Sequence, residues 1–211
     1  MQSASFPSVS PGRVDNSPTR PSSVTLAGTC RGDIGGYGTR VGFLAGWRSC
    51  PRCAGALDAD ARRAECTACG SVYYAHSAPA VAALIADDQG RVLLARRAHE
   101  PDAGLWDVLG GFLEEGEDPL QGLRRELLEE TGVEVEPDGF LGTFIDTYGD
   151  GATAAYVLNL AWRAHIVTGE PAPADDVAEL RWFSAEELPR PEECAFRWVA
   201  PFLARHVRAT P

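Results

Sequence analysis

Downstream of Pro79 the chain alternates between apolar runs and turn-forming clusters, and the spacing of those runs predicts discrete elements. Residues 80–86 are an unbroken apolar stretch of small and branched side chains. The polar cluster Asp87-Asp88-Gln89-Gly90 and then residues 91–96 follow, which together read as a β-hairpin. Residues 97–105 form a polar loop, and 105–109 a short strand that ends at Gly110-Gly111. Leu120, Leu123 and Leu127 recur at helical spacing and predict a helix from about Pro119 to Thr131 with a leucine face toward the core. Asp118 suits its N-cap, Pro119 its first position, and Gly132 the residue just past its end. Residues 140–148 and 154–165 read as long strands joined through Gly149-Asp150-Gly151, and 179–183 as another strand. Residues 192–208 read as a closing amphipathic helix with Pro201 as a kink point.

Upstream the pattern is different. Residues 1–46 are rich in Ser, Pro, Gly and Thr and have no periodicity, which predicts a disordered tail. Residues 47–76 hold two tight cysteine pairs, Cys50-Pro51-Arg52-Cys53 and Cys66-Thr67-Ala68-Cys69, twelve residues apart. Two such knuckles can present four thiolates to a structural Zn²⁺; a redox pair is the competing reading. So small a unit has almost no core, so the metal would supply its folding energy. Cys30 and Cys194 are left over and read as inert thiols. Residues 77–211 make up the remaining domain.

Composition narrows the function. The 211 residues carry a formal charge of −11, and 45% of them are apolar, enough for an ordinary core. The acidic balance argues against broad electrostatic binding to nucleic acid or anionic membrane and suits a site that gathers cations. No apolar run approaches the ~20 residues a bilayer span needs, and no apolar stretch follows a basic N-terminus, so the expected location is the cytoplasm.

The chemistry concentrates in Gly111-Phe112-Leu113-Glu114-Glu115-Gly116-Glu117, then seven residues, then Arg125-Glu126-Leu127-Leu128-Glu129-Glu130-Thr131-Gly132-Val133. At roughly 100° per helical residue, Glu126, Glu129 and Glu130 fall within one arc. No lysine is interleaved to relieve their repulsion. Such a face suits a hard divalent cation that takes a few carboxylates together with waters and phosphate oxygens. Arg125, four residues before Glu129, can fix that side chain.

This run resembles the Nudix box, and every required position is filled: Gly111, Glu117, Arg125, Glu126, Leu127, Glu129, Glu130, Gly132 and Val133. One departure is Leu109, where a proline often precedes the two glycines. The resemblance implies an α/β fold, the Nudix α/β/α sandwich with a mixed β-sheet, and in-line attack of water on the pyrophosphate linkage of a nucleoside diphosphate joined to another group. It implies that Glu126, Glu129, Glu130 and Glu117, with the carbonyl of Gly110, hold Mg²⁺ or Mn²⁺, and that Arg125 orients the cluster. Glu126, Glu129, Glu130 and Arg125 are thereby the expected catalytic group. The general base is either a box glutamate or an acid on a later loop, for which Asp175, Asp176 and Glu179 are candidates.

Expected substrate contacts are Gly111, one of Arg96 and Arg97 (alternation sends them to opposite faces), and Tyr148 ahead of Trp106 and Phe144 as a stacking ring. His99 is assigned no catalytic role. A zinc ribbon leading into such a domain resembles NADH pyrophosphatases and some ADP-ribose and FAD pyrophosphatase relatives. The Ser-Gln-Pro-Trp-Pro-Phe-Pro run of the NADH enzymes is absent around residues 141–148, which sets NADH specificity aside. Two other readings compete: a nucleotide-sensing module, in which box glutamates are often lost, and an RNA-directed enzyme. Against the latter, ribbon residues Arg48, Arg52, Arg62 and Arg63 are offset by Asp58, Asp60 and Glu65. The resemblance also allows a homodimer.

Overall fold

The computed structural model describes residues 43–44, 46–149 and 154–207. The expected tail thus lies almost wholly outside the described residues, as do Cys30 and the tip of the hairpin at 150–153.

The cysteine segment forms a small antiparallel sheet in the order β1 (Leu57–Ala59), β2 (Arg63–Cys66), β3 (Val72–Tyr74). Asp60 closes its first turn, its Oδ1 accepting the backbone N–H groups of Arg62 and Arg63 at 2.6 and 2.8 Å. Beyond it, two three-stranded sheets carry the rest. In one, β4 (Ala78–Ile85) runs parallel to β8 (Ala155–Thr168), and β8 runs antiparallel to β7 (Glu134–Tyr148). In the other, β5 (Val92–Arg97) lies between β6 (Trp106–Asp107) and β9 (Val177–Phe183), antiparallel to both. The helices are α1 (Pro119–Thr131) and α2 (Val199–His206).

Alternation along β4 and β5 explains the layering. Val81, Ala83, Ile85, Leu93 and Ala95 pack in one core with Leu123 and Leu127 of α1. Ala82, Leu84, Val92 and Leu94 pack in a second core with Val199, Phe202 and Leu203 of α2. The two strands are covered on both faces, which is why their sequences read as continuous apolar runs. The result is the expected mixed-sheet α/β arrangement with a helix on each side.

Helix α1 matches its predicted bounds because each end is chemically specified. The Asp118 carboxylate accepts N–H groups from Leu120 and Gln121, Pro119 occupies the first turn, and Gly132 takes the left-handed conformation at φ 71° while donating to Leu128 O.

Three expectations change. Residues 80–97 are not a simple hairpin: β4 and β5 lie in different sheets and share one bridge, Ala86 to Val92. The N–H groups of Val81 and Ala83 donate instead to Gly111 O and Leu109 O, so the 109–112 segment occupies the β4 edge that β5 would need. Strand β7 begins at Glu134, six residues before the apolar pattern suggests, because Pro137, Gly139 and Gly142 sit at register shifts that hide the period. The closing helix is shorter than expected. Residues Pro191–Glu193 form a separate 3₁₀ turn, and Pro201 lies in the first turn of α2, where its missing N–H has no intrahelical partner to lose.

Among the described residues, no helix is long and apolar enough to cross a membrane. Because Leu127 is fully buried between α1 and the sheets, Leu127→Ala is expected to lower unfolding free energy by about 2–5 kcal/mol, read from the shift in denaturation midpoint.

Candidate functional site

The loop between Gly110 and Asp118 folds back over α1, and two glycines make that approach possible. Gly110 has φ 138°, and a Cβ there would collide with the carbonyl oxygen of Val81. A Cβ at Gly111 would strike the carboxylate of Glu126. Gly122, inside α1, plays the same part from the other side, since a Cβ there would meet Leu113 and, at 2.8 Å, Glu117 Oε2. Composition alone marks Gly122 as a weak spot in a helix; the packing shows that it admits the loop.

Arg125 ties these parts together. Its Nε and Nη2 donate to both oxygens of Glu117 at 2.8 and 2.9 Å, its Nη1 donates to Glu126 at 2.9 Å and Glu129 at 3.0 Å, and Nη2 also reaches Phe112 O at 3.2 Å. This guanidinium, aided by the Glu114 N–H, holds the Glu117 carboxyl down at about 2. The arginine in turn is held firmly charged, first by Glu117 and then by Glu126 and Glu129.

Glu130 sits differently. It is only 7% exposed, and its carboxylate accepts the Gly110 N–H at 2.9 Å. Burial pushes its proton affinity well above the usual carboxylate range, and the nearby charges of Asp176, Glu126 and Asp107 add to the effect. Burial likewise raises Glu126, and Arg125 offsets part of that. The helix therefore presents two electrostatically costly carboxylates, Glu126 and Glu130, while Arg125 bonds to Glu129 beside them and to Glu117 on the loop.

Glu126 and Glu130 line a cavity of about 260 Å³. Gly110, Gly111, Asp175 and Asp176 also line it, as do Arg97, Tyr148, Phe196 and Phe112. The Arg97 guanidinium lies 5.8 Å from the Tyr148 ring centroid and 5.5 Å from that of Phe196. It donates to Pro101 O at 2.8 Å and lies 3.7 Å from Asp107. Asp107 is half-buried in the cavity wall, and desolvation there pushes its carboxyl up to about 7 despite the nearby arginine.

Of the paired strand-end arginines, Arg97 thus faces the cavity. Arg96 faces away, donating to Gly104 O at 2.7 Å and pairing with Glu179 at 3.3 Å; this places Glu179 outside the cavity as well. Trp106 packs edge-on against Phe183, and Phe144 stacks on Trp198 in the second core. Asp107, Asp146, Asn159 and Phe196 line the cavity without having stood out in the sequence. Asp107 carried the one available signal, a carboxylate set between strand-forming Trp106 and Val108; Phe196 carried none.

The four cysteines form a second center. Their sulfurs lie within 4.8 Å of one another, with Cys50 and Cys69 at 3.8 Å and Cys53 and Cys66 at 3.5 Å. A tetrahedron with Zn–S bonds of ~2.3 Å has edges of about 3.8 Å, so the spacing fits that ion. Among the described residues this is the one group of three or more such side chains gathered closely enough to hold an ion as it stands; the box glutamates are spread around Arg125.

A mixed-sheet α/β domain with a glutamate-bearing helix over a glycine loop defines a class, and the family comparison agrees. The NUDIX domain family matches residues 76–205, and the chain belongs to the Nudix family. It is 30% identical over 158 residues to the NAD-capped RNA hydrolase NudC of Stutzerimonas stutzeri, covering 73% of this chain and 54% of that protein. It is 31% identical over 117 residues to the ADP-ribose pyrophosphatase of Methanocaldococcus jannaschii, covering 56% of this chain and 68% of that one. The chain spans about half the length of the NudC relatives it matches. A Nudix hydrolase from Nitrosomonas europaea superposes with a TM-score of 0.64 at 24% identity, over 77% of this chain and 91% of that one, a likeness of fold.

The Glu130 environment has a directional consequence. A carboxyl whose folded pKa is raised destabilizes the fold increasingly as pH rises from the ordinary carboxylate range through the raised value. Glu130→Gln keeps an acceptor for the Gly110 N–H and removes the charge. In the metal-free protein it is expected to raise the melting temperature at pH 8, with the gain shrinking toward pH 5, as thermal unfolding across that range would show.

Proposed function

We propose that the chain is a divalent-metal-dependent hydrolase that cleaves the pyrophosphate linkage of a nucleoside diphosphate joined to another group. The observation that carries the reading is the cavity itself, whose lining combines the costly carboxylates of Glu126 and Glu130 with Arg97 and the two aromatic rings beside it. All the candidate ligands around the glutamates are oxygens, which suits Mg²⁺ or Mn²⁺. Glu126, Glu129 and Glu130 would hold the ion, with Glu117 and the Gly110 carbonyl contributing. The burial cost at Glu130 and Glu126 supports this assignment, because a cation beside them would offset it.

A bound divalent ion neutralizes phosphate charge and acidifies water. The protein's own groups do the rest. Arg125 orients Glu126 and Glu129 through the bonds described above and keeps Glu117 ionized. Arg97 offers a planar fork matched to phosphate oxygens, and Tyr148 offers a ring face to a base or flavin. Gly111 would let the loop backbone come close to the substrate. Asp175 and Asp176 border the cavity near Glu126 and Glu130, which favors them over Glu179 as proton acceptors for an attacking water. The four cysteines would hold a structural Zn²⁺, and residues 47–76 and 77–211 would be a zinc ribbon and a catalytic domain.

The test is turnover with Mg²⁺ or Mn²⁺ on ADP-ribose, FAD, NADH, dinucleoside polyphosphates, oxidized deoxynucleoside triphosphates and NAD-capped RNA. The relatives' names motivate including the capped RNA. One substrate is expected to stand out, and Glu129→Gln to reduce its kcat by about 100-fold or more. Ligand binding without turnover on any of them would replace the enzyme with a nucleotide sensor. For the cysteines, elemental analysis is expected to find one zinc per chain, lost in Cys66→Ser together with the protection of β1–β3 from amide hydrogen exchange.

A further inference from the structure

The four sulfurs of the cysteine center are not equivalent. The Tyr73 hydroxyl lies 3.3 Å from Cys50 Sγ, and the Ser71 hydroxyl lies 3.2 Å from Cys69 Sγ. A metal-bound cysteine is a thiolate and has no proton to give, so in both contacts the hydroxyl is then the donor. Among the described residues, Cys53 and Cys66 have no hydroxyl partner; a backbone N–H serves each, from Gly55 and from Cys69.

Exposure divides the same sulfurs along a different line. Cys50 and Cys66 are buried, whereas Cys53 and Cys69 are open to solvent. Cys53 is therefore the one member of the four that is both exposed and without a hydroxyl donor. A Cβ at Gly55 would lie 3.3 Å from Cys53 Sγ, so the glycine also keeps a side chain off that sulfur. A hydrogen bond to a thiolate draws charge from the sulfur and lowers its nucleophilicity, which leaves Cys53 the most reactive of the exposed pair. The sulfur of Cys66 lies 3.5 Å from it, closer than Cys50 and Cys69 lie to each other at 3.8 Å.

We infer that Cys53 is a modification site, the sulfur at which this center reacts with hydroperoxides, and that the Ser71 hydroxyl is what spares Cys69. The inference rests on the structural-zinc reading and goes beyond it. The Cys53 thiolate attacks the terminal oxygen of the hydroperoxide. An S–O bond forms, the O–O bond breaks and the alkoxide leaves (hydroxide, for hydrogen peroxide); the sulfur gives up the two electrons that the peroxide gains. The Cys66 thiolate then attacks the Cys53 sulfur, forms an S–S bond and expels hydroxide. Cys50 and Cys69 remain, too few to close a tetrahedral site. A unit that depends on its metal for folding then loosens.

The test treats the whole zinc-loaded chain with limiting iodoacetamide and, separately, with limiting hydrogen peroxide. Trypsin cuts after Arg52 and Arg63 and so places Cys53 and Cys66 on different peptides. Fragmentation of those peptides reads each cysteine, and a chelating dye reads released zinc. Iodoacetamide is expected to label Cys53 about tenfold faster than Cys69. Hydrogen peroxide is expected to give a Cys53–Cys66 disulfide, with zinc released in step and β1–β3 losing protection from hydrogen exchange. Ser71→Ala is expected to bring Cys69 labeling to within about twofold of Cys53, and Ser71→Thr, which keeps the hydroxyl, to leave it slow. Wild-type labeling of Cys69 at the same rate or faster overturns the inference, as does a Cys50–Cys69 disulfide formed first. Unchanged Cys69 labeling in a zinc-loaded Ser71→Ala protein overturns it too; the wild-type order decides alone should that variant fail to hold zinc. Absence of zinc before treatment sinks the zinc assignment itself, whereas bound zinc with the wrong order of labeling sinks this inference only.

Discussion

A single guanidinium holds the candidate site in shape. Arg125 bonds to Glu117 on the loop, to Glu126 and Glu129 on its own helix, and to the Phe112 carbonyl, so loop and helix are fixed to each other through one planar group. Without it, at least three carboxylates would face one another across a glycine loop with no internal restraint. The surrounding features make room for this contact. Gly111 and Gly122 remove the side chains that would hold the loop off the helix, and Asp118 and Gly132 fix where the helix begins and ends. The leucines on its opposite face then seat it on the sheets, so the orientation of the carboxylates follows from core packing.

That dependence explains what could be read in advance. The helix was legible to the residue because its caps, its leucine period and its glutamate arc all lie within a short window and agree. The strand pairings were not, because they are decided by competition between distant segments. Residues 80–86 carry an apolar pattern compatible with a hairpin, yet the backbone groups of Val81 and Ala83 go to Gly111 and Leu109. Pro137 and Gly142 conceal the true start of β7 for a related reason: irregular strands break the period that sequence reading relies on.

The site divides in the same way. Its acidic half lies within one contiguous motif and could be assigned by spacing. Its other half is assembled from Arg97, Asp107, Tyr148 and Phe196, which come from β5, β6, β7 and the segment before α2. Strand alternation limits Arg96 and Arg97 to opposite faces, but only the packing decides which one points inward. Arg96 is drawn outward by Glu179 and Gly104 O, and Arg97 inward by Pro101 O and the two rings.

The acidic loop before β9 links the two halves. Ala174 N donates to Glu130 O and Ala172 N to Thr131 O, both at the C-terminal end of α1, while Ala98 N donates to Asp176 O just past the end of β5. Asp175, at φ 52°, adopts a conformation that non-glycine residues seldom take. The loop that carries Asp175 and Asp176 is therefore fastened to the backbone of the glutamate helix and to the residue following Arg97. The charge of Asp176 adds to the cost of Glu126 and Glu130, so the same hydrogen bonds that order the loop raise the local demand for a cation. A displacement of α1 would be transmitted to this loop through two backbone bonds, which makes the positions of the helix carboxylates and the loop carboxylates interdependent.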